Sequence, residues 1–168
     1  MWKKYLINKR IENNLKKKNT LELPLRSGII IFPSETSIDK NFIRKLSHIT
    51  SIPYDKWDVL FLSNDEPHPD FVSVLDAHFN WRGKLIEPNI QKYFNKNYDL
   101  LIDFSSLKNT KERLVSSGIQ AGFRIGTTPD QMQFYDLVIQ EQKDLPTFLH
   151  ELKKYLYALG YIKPADVL

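Results

Sequence analysis

The sequence contains no cysteine, which excludes a disulfide framework, a catalytic thiol and a zinc site built on thiolates. The same absence fits a reducing compartment. Long hydrophobic runs are missing as well. The continuous run at 29–32 has the length of a strand, far short of a membrane span or the core of a signal peptide. We therefore predict a cytoplasmic protein without a transmembrane segment.

The glycine-rich motifs that bind phosphates are also absent. Neither G-x-G-x-x-G nor G-x-x-x-x-G-K-[ST] occurs, and the first predicted strand is followed by Pro33, Ser34 and Glu35. There is no G-x-S-x-G nucleophile elbow. A standard NAD or ATP enzyme is therefore disfavoured, and we assign no catalytic residue and no cofactor.

Positive charge is concentrated at the start of the chain. Residues 1–19 carry a net charge of +6 with Glu12 as their one acid, whereas the whole chain carries +4 and the remainder therefore −2. The cations are Lys3, Lys4, Lys9, Arg10, Lys16, Lys17 and Lys18. The basic character belongs to this segment, so the basic pI does not by itself indicate a nucleic-acid-binding surface.

The hydrophobic pattern predicts one α/β domain over 21–168, preceded by a basic N-terminal helix within 1–20. In the helix, Ile7, Ile11 and Leu15 recur every four residues without an intervening Pro or Gly. Downstream, the runs at 29–32, 59–62 and 100–103 are typical of strands buried on both faces. Helical segments alternate with them, which predicts a Rossmann-like three-layer sandwich with a mostly parallel sheet and these strands at its centre.

Several boundary signals refine this prediction. The segment from Thr36 to Asp39 has the pattern of a capping box that opens a helix. Gly118 is placed to end the helix at 110–117, and Asp144 can cap the last helix. Within the less regular region 63–88, residues 71–75 and 84–86 are candidate short strands.

Ligands of open parallel sheets bind beyond the carboxyl ends of the strands. The candidate ligand-binding residues there are Ser34, Thr36, Asn64, Asp103, Ser105, Ser106 and Thr127. Their polar groups suit a sugar or nucleotide phosphate, although loops and helix caps require the same residue types. An acid such as Asp103 at the end of a buried strand must be paired or face a crevice. We favour a structural role for Asp103, in which its carboxyl group stabilises the turn at Ser105 and Ser106.

Two further clusters could bind ligands. The side chains of His68, Asp70, Asp76 and His78 could ligate a metal, but their spacing matches no metal signature, and we assign no metal site. The aromatic and basic segment 80–84 could stack on a base or a sugar. We favour a structural role for its Trp81, as a plug at the edge of the sheet.

The basic helix has two interpretations. Its cations could bind RNA or the ribosome, an anionic membrane surface or an acidic protein. Alternatively, it is a solvated helix whose stripe of Ile7, Ile11 and Leu15 packs back on the domain.

A resemblance to a known family extends over the whole chain. It rests on the lysine-rich opening helix and on the segments 27–31, 79–85, 98–103, 121–126 and 135–139. On these residues the chain resembles an uncharacterised family of short α/β proteins from Bacteroidota, a domain of unknown function, which implies no assigned activity. The stretch from Tyr98 to Gly126 is also similar to the D-L-[IV]-I-D-L … R-I-G stretch in the N-terminal half of heptosyltransferase-like glycosyltransferases. The nucleotide-sugar half of those enzymes has no room in this chain.

Two hypotheses for function follow. The first is a non-catalytic accessory protein that engages a partner through its basic helix or an exposed face. The second is a small-molecule binding protein or enzyme with a site at the strand carboxyl ends. An open crevice joining Ser34, Asp103 and Thr127 would favour the second, and a crevice filled by side chains such as Trp81 or Phe104 would favour the first.

Overall fold

The computed structural model describes residues 1–17, 19–33, 36–38, 40–129, 134–140 and 144–163. Its strands are β1 (Gly28–Pro33), β2 (Trp57–Leu62), β3 (Val72–Val74), β4 (Asn97–Asp103), β5 (Gln120–Gly126) and β6 (Leu137–Val138). Among the described residues these six strands form one sheet in the order β3-β2-β1-β4-β5-β6. Every neighbouring pair is parallel. The predicted parallel sheet is confirmed, and so is the central position of β1, β2 and β4.

Helices cover both faces of this sheet. They are α1 (Trp2–Lys16), α2 (Lys40–Thr50), α3 (Pro88–Phe94), α4 (Thr110–Gly118) and α5 (Leu145–Ala158). The buried side chains of α2 and α5 share one hydrophobic cluster with one side of the sheet, and those of α3 and α4 share a second cluster with the other. The result is the predicted three-layer α/β arrangement.

The strand β1 shows why its sequence is hydrophobic without interruption. Ile30 and Phe32 pack in the cluster beneath α2 and α5, whereas Ile29 and Ile31 pack in the cluster beneath α3 and α4. All four side chains are fully buried. Because successive side chains of a strand point to opposite faces, a strand covered on both faces has no position left for a polar residue.

Two boundaries differ from the prediction. Helix α2 begins at Lys40, so Thr36 lies before the helix, and Asp39 is outside the described residues. Gly118 is the last residue of α4 rather than a residue beyond its end. A Cβ atom at this position would collide with the ring of Phe94, so the glycine permits the close approach of α3 to α4.

The region 63–88 contains one strand of the sheet. Residues 72–74, inside the predicted 71–75, pair with β2 as β3. The predicted strand at 84–86 is reduced to an isolated antiparallel bridge between Phe79 and Leu85. This bridge closes a tight hairpin, which we call the Trp81 hairpin (residues 79–85).

Helix α1 forms an additional layer outside α4. Ile7 and Ile11 are buried against Leu114 of α4 and against Phe134, with Leu15 packed at the margin of the same cluster. The predicted stripe therefore does pack back on the domain. This packing fixes which side of α1 faces the solvent.

Candidate functional site

The carboxyl edge of the sheet holds most of the candidate ligand-binding residues. The strand order reverses between β1 and β4, and a crevice beyond this point is where open α/β sheets bind ligands. Asp103, Ser105 and Thr127 are buried there, Thr36 and Ser106 are half-buried, and Asn64 is exposed after β2. Ser34 is outside the described residues.

Asp103 ends β4 with no solvent exposure. Its Oδ1 accepts a 2.8 Å hydrogen bond from the backbone N–H of Ser105, and its Oδ2 accepts a 2.7 Å bond from the hydroxyl of Tyr135. Burial raises the pKa of Asp103, although the hydrogen bonds from Tyr135 and Ser105 act in the opposite direction. The carboxyl group therefore braces the turn after β4 and points into the protein.

Aromatic rings pack at the same edge of the sheet, in the cluster beneath α2 and α5. The rings of Phe32 and Phe104 stack almost parallel, with their centroids 4.9 Å apart. Phe148 of α5 lies 4.8 Å from Phe104 on the same face of the sheet. Phe104, which the sequence analysis named as a possible filler of the crevice, thus packs at the point where the strand order reverses.

Ser106, Glu112 and Lys111 near this edge are engaged in local structure. The hydroxyl of Ser106 donates to the carboxylate of Glu112, which also accepts from the backbone N–H of Lys108 and completes the cap of α4. Lys111 is buried, and its ammonium group donates to the carbonyl of Ser63 and lies 3.2 Å from Asp76. Sequence reasoning did not single out Glu112 or Lys111, because charged residues in the first turn of a helix are common on solvated surfaces.

The two histidines of the candidate metal cluster take part in turns. Nδ1 of His68 accepts a hydrogen bond from the backbone N–H of Asp70, and Nδ1 of His78 accepts one from Leu75. Across the part of the chain that the structure describes, no three His, Asp or Glu side chains converge as metal ligands would. His48 and His150 are exposed on α2 and α5.

A second candidate region is the outer surface of α1. The side chains of Lys3, Lys4, Lys9, Lys16 and Lys17 are exposed, and Lys18 is outside the described residues. Arg10 is half-buried and donates through Nε to the carbonyl of Arg82 in the Trp81 hairpin. None of the described cations of this segment forms an ion pair with another described residue.

The Trp81 hairpin presents an aromatic ring beside this helix. Oδ1 of Asn80 accepts from the backbone N–H groups of Arg82 and Lys84, and Gly83 has a positive φ of 72°, which favours glycine. The turn leaves Trp81 54% exposed, with the guanidinium of Arg82 4.5 Å from its ring centroid. Trp81 and Lys3 line one shared cavity of about 650 Å³. The prediction that Trp81 plugs the sheet edge is wrong, since the hairpin holds the ring at its tip in the solvent.

Arg124 of β5 has a structural role. Its guanidinium donates to the backbone carbonyls of Phe134, Ile119 and Ser116, and so ties the end of α4 to β5. Its backbone N–H donates to Asp136. These contacts account for an arginine at this position without a bound substrate.

The fold and the two regions define the class of protein, a parallel α/β protein with Rossmann strand order and an added basic helix on its outside. The chain belongs to the family of unknown function DUF6913, whose model matches residues 3–159. This range includes every helix and strand described above apart from residue 2 of α1. No curated protein and no solved structure matches the chain. Among the described helices, none has both the length and the apolar character that crossing a membrane requires.

Proposed function

We propose that this chain is a cytoplasmic, non-catalytic accessory protein that binds RNA through one surface, the basic face. The basic face consists of the exposed cations of α1 together with Arg82 and Lys84 of the Trp81 hairpin. The observation that carries the proposal is the set of exposed α1 lysines without an acidic partner among the described residues. The lack of cysteine supports a reducing compartment.

The packing of α1 supports a role in binding. Ile7 and Ile11 are buried against Leu114 and Phe134, so the lysines are held on a fixed surface instead of a free tail. Unpaired cations at fixed positions attract a polyanion, and binding to phosphates releases the counterions condensed on the nucleic acid. A face that only served solubility would usually mix charges of both signs, and α1 has Glu12 as its one acid.

Exposed aromatic rings favour RNA over the other polyanionic partners. Trp81 and Arg82 lie next to α1, and Trp2 and Tyr5 are exposed on α1 itself. Aromatic rings among cations provide surfaces on which unpaired bases stack. A membrane-surface helix inserts its apolar stripe into the lipid, but in α1 that stripe is already buried against α4.

The decisive experiment compares two triple charge reversals. The test variant is Lys9→Glu/Lys16→Glu/Lys17→Glu on α1, and the matched control is Lys40→Glu/Lys45→Glu/Lys56→Glu on α2 and the turn before β2. All six lysines are exposed, so both variants change the net charge equally. Binding to a fluorescent single-stranded RNA is measured by anisotropy at low and moderate salt, with melting curves alongside.

We expect the wild type and the control to bind RNA with an affinity that falls steeply with salt, with a logarithmic slope of about −0.7 for each phosphate contacted. The test variant should lose most of this binding while it keeps the melting temperature of the wild type. Equal binding by both variants would contradict the proposal. Retention of the wild type by anionic vesicles or by an acidic protein, without RNA binding, would also overturn it.

A further inference from the structure

A groove of about 830 Å³ lies beside α1. One wall is α1, with Arg10 and Asn14, and the other is the Trp81 hairpin and α3, with Gln91 and Phe94. Leu114 and Gly118 of α4 lie between the two walls. The volume is in the range of pockets that hold small organic ligands, and the groove adjoins the basic face along α1.

The groove is cationic and rich in amides. None of the described residues that line it is acidic, while Arg10, Lys17 and Lys84 are cations. Five side-chain amides share the lining, from Asn14, Asn19, Gln91, Asn95 and Gln120. Cations suit phosphate groups. The amides suit a ligand that offers both donors and acceptors.

Each of these amides donates at most one hydrogen bond to a described residue. Gln91 donates to the carbonyl of Leu85 at 3.1 Å, and Asn19 donates to Asn97 at 3.4 Å. Asn14 and Gln120 each donate one long hydrogen bond, of 3.5 Å to Ser117 and 3.4 Å to the carbonyl of Gly118. Asn95 makes no side-chain hydrogen bond to another described residue. Each of these amides retains at least one donor and its acceptor oxygen, and such a pair of groups matches the edge of a nucleobase.

From this juxtaposition we infer that the groove binds the unpaired bases of single-stranded RNA, whose phosphates lie on the cations of the basic face. The inference rests on the proposed function and adds to it a preference for single strands. In double-stranded RNA the Watson–Crick edges of the bases are paired and the bases stay stacked, so they cannot enter such a site. The bases of a single strand can be splayed out and can bind through these edges. Phe94 adds an apolar surface for a base.

The test removes amides without changing charge. The groove variant is Asn14→Ala/Asn95→Ala, and the matched control is Asn13→Ala/Asn89→Ala. In each pair one asparagine lies on α1, and the other lies in α3 (Asn89) or caps its C-terminal end (Asn95). The control residues Asn13 and Asn89 are exposed and do not line the groove. Three probes are used with each protein: a single-stranded RNA, an RNA duplex of the same length, and heparin, a polyanion without bases.

We expect the wild type and the control to bind the single strand more tightly than the duplex. The groove variant should lose about tenfold in affinity for the single strand, as expected from the loss of two hydrogen-bonding side chains, and should bind heparin like the wild type. Unchanged single-strand affinity in the groove variant, or equal affinity of the wild type for single strand and duplex, would overturn the inference while leaving the proposed function intact. If the wild type binds none of the three probes, the proposed function itself fails.

Discussion

The hydroxyl of Tyr135 donates a 2.7 Å hydrogen bond to Oδ2 of Asp103 and thereby ties the approach to β6 to the end of β4. Tyr135 also lies against Gly126, where a Cβ atom would collide with its ring. Three segments that are distant in the sequence thus meet around one carboxyl group. The group lies deep in the protein, so its titration affects the stability of the fold.

Replacement of Asp103 by Asn should change how stability depends on pH. Burial raises the pKa of Asp103 above its ordinary value of 3.8, so the folded state holds this proton to a higher pH than the unfolded state does. The stabilisation from this group is complete below the ordinary pKa and is lost as the pH rises through the raised value. Relative to the wild type, the Asp103→Asn variant should therefore gain stability as the pH rises above about 4.

This prediction is checked by urea unfolding of both proteins over a series of pH values. Comparison of the two proteins removes the contribution of other groups, such as Asp144. The side chain and the backbone N–H of Thr147 lower the pKa of Asp144, so its effect on stability has the opposite sign. A constant difference between the two unfolding free energies at every pH would refute the expected titration.

The substitution Ile11→Ala should strongly destabilise the protein. Ile11 is fully buried between α1 and α4, and the loss of a buried isoleucine side chain costs about 2–5 kcal/mol. The neighbouring Lys9→Ala, at an exposed position of the same helix, should change the free energy of unfolding by less than about 0.5 kcal/mol. Equal unfolding free energies for the two variants would mean that α1 is not held on α4, and the fixed basic face would be lost with it.

The substitution Trp81→Ala tests how much base stacking contributes to RNA affinity without changing the charge of the protein. Because the ring is 54% exposed at the tip of a hairpin, its removal should leave the melting temperature close to that of the wild type. Affinity for single-stranded RNA should fall roughly tenfold, as for the loss of one stacked base, whereas heparin binding should stay unchanged. Tyr54→Ala, which removes another exposed ring, is the control. A loss of RNA affinity of the same size in the control would reject Trp81 as a specific contact.

The layered fold could be predicted because the hydrophobic pattern within each strand indicates which of its faces are covered. The run from Ile29 to Phe32 is hydrophobic at every position, and only a strand covered on both faces requires that pattern. The order of the strands was not predicted, since it depends on which strands meet across the chain. Gly118 shows a similar limit, because the close approach of Phe94 that requires a glycine comes from another helix.

The candidate sites show where local reasoning ends. The sequence predicts Asp103 at the end of a buried strand, and β4 does end there. The bond from Ser105 follows from a spacing of two residues. Its second partner, Tyr135, is thirty-two residues away, and no local pattern indicates that contact. The exposure of Trp81 was missed because it depends on a turn built by the side chain of Asn80.

The position of α1 outside α4 separates the proposed contact surface from the β-sheet by two layers of helix. Neighbouring helix axes lie about 8–10 Å apart, so RNA on the outer side of α1 would stay clear of the central strands. Among the described residues that line the groove, Gln120 at the start of β5 is the one that belongs to the sheet. Residues on the outer side of α1 can therefore be exchanged without disturbing the core. Proteins with this fold could acquire different binding preferences through substitutions in a single helix and one hairpin, while the sheet beneath them stays the same.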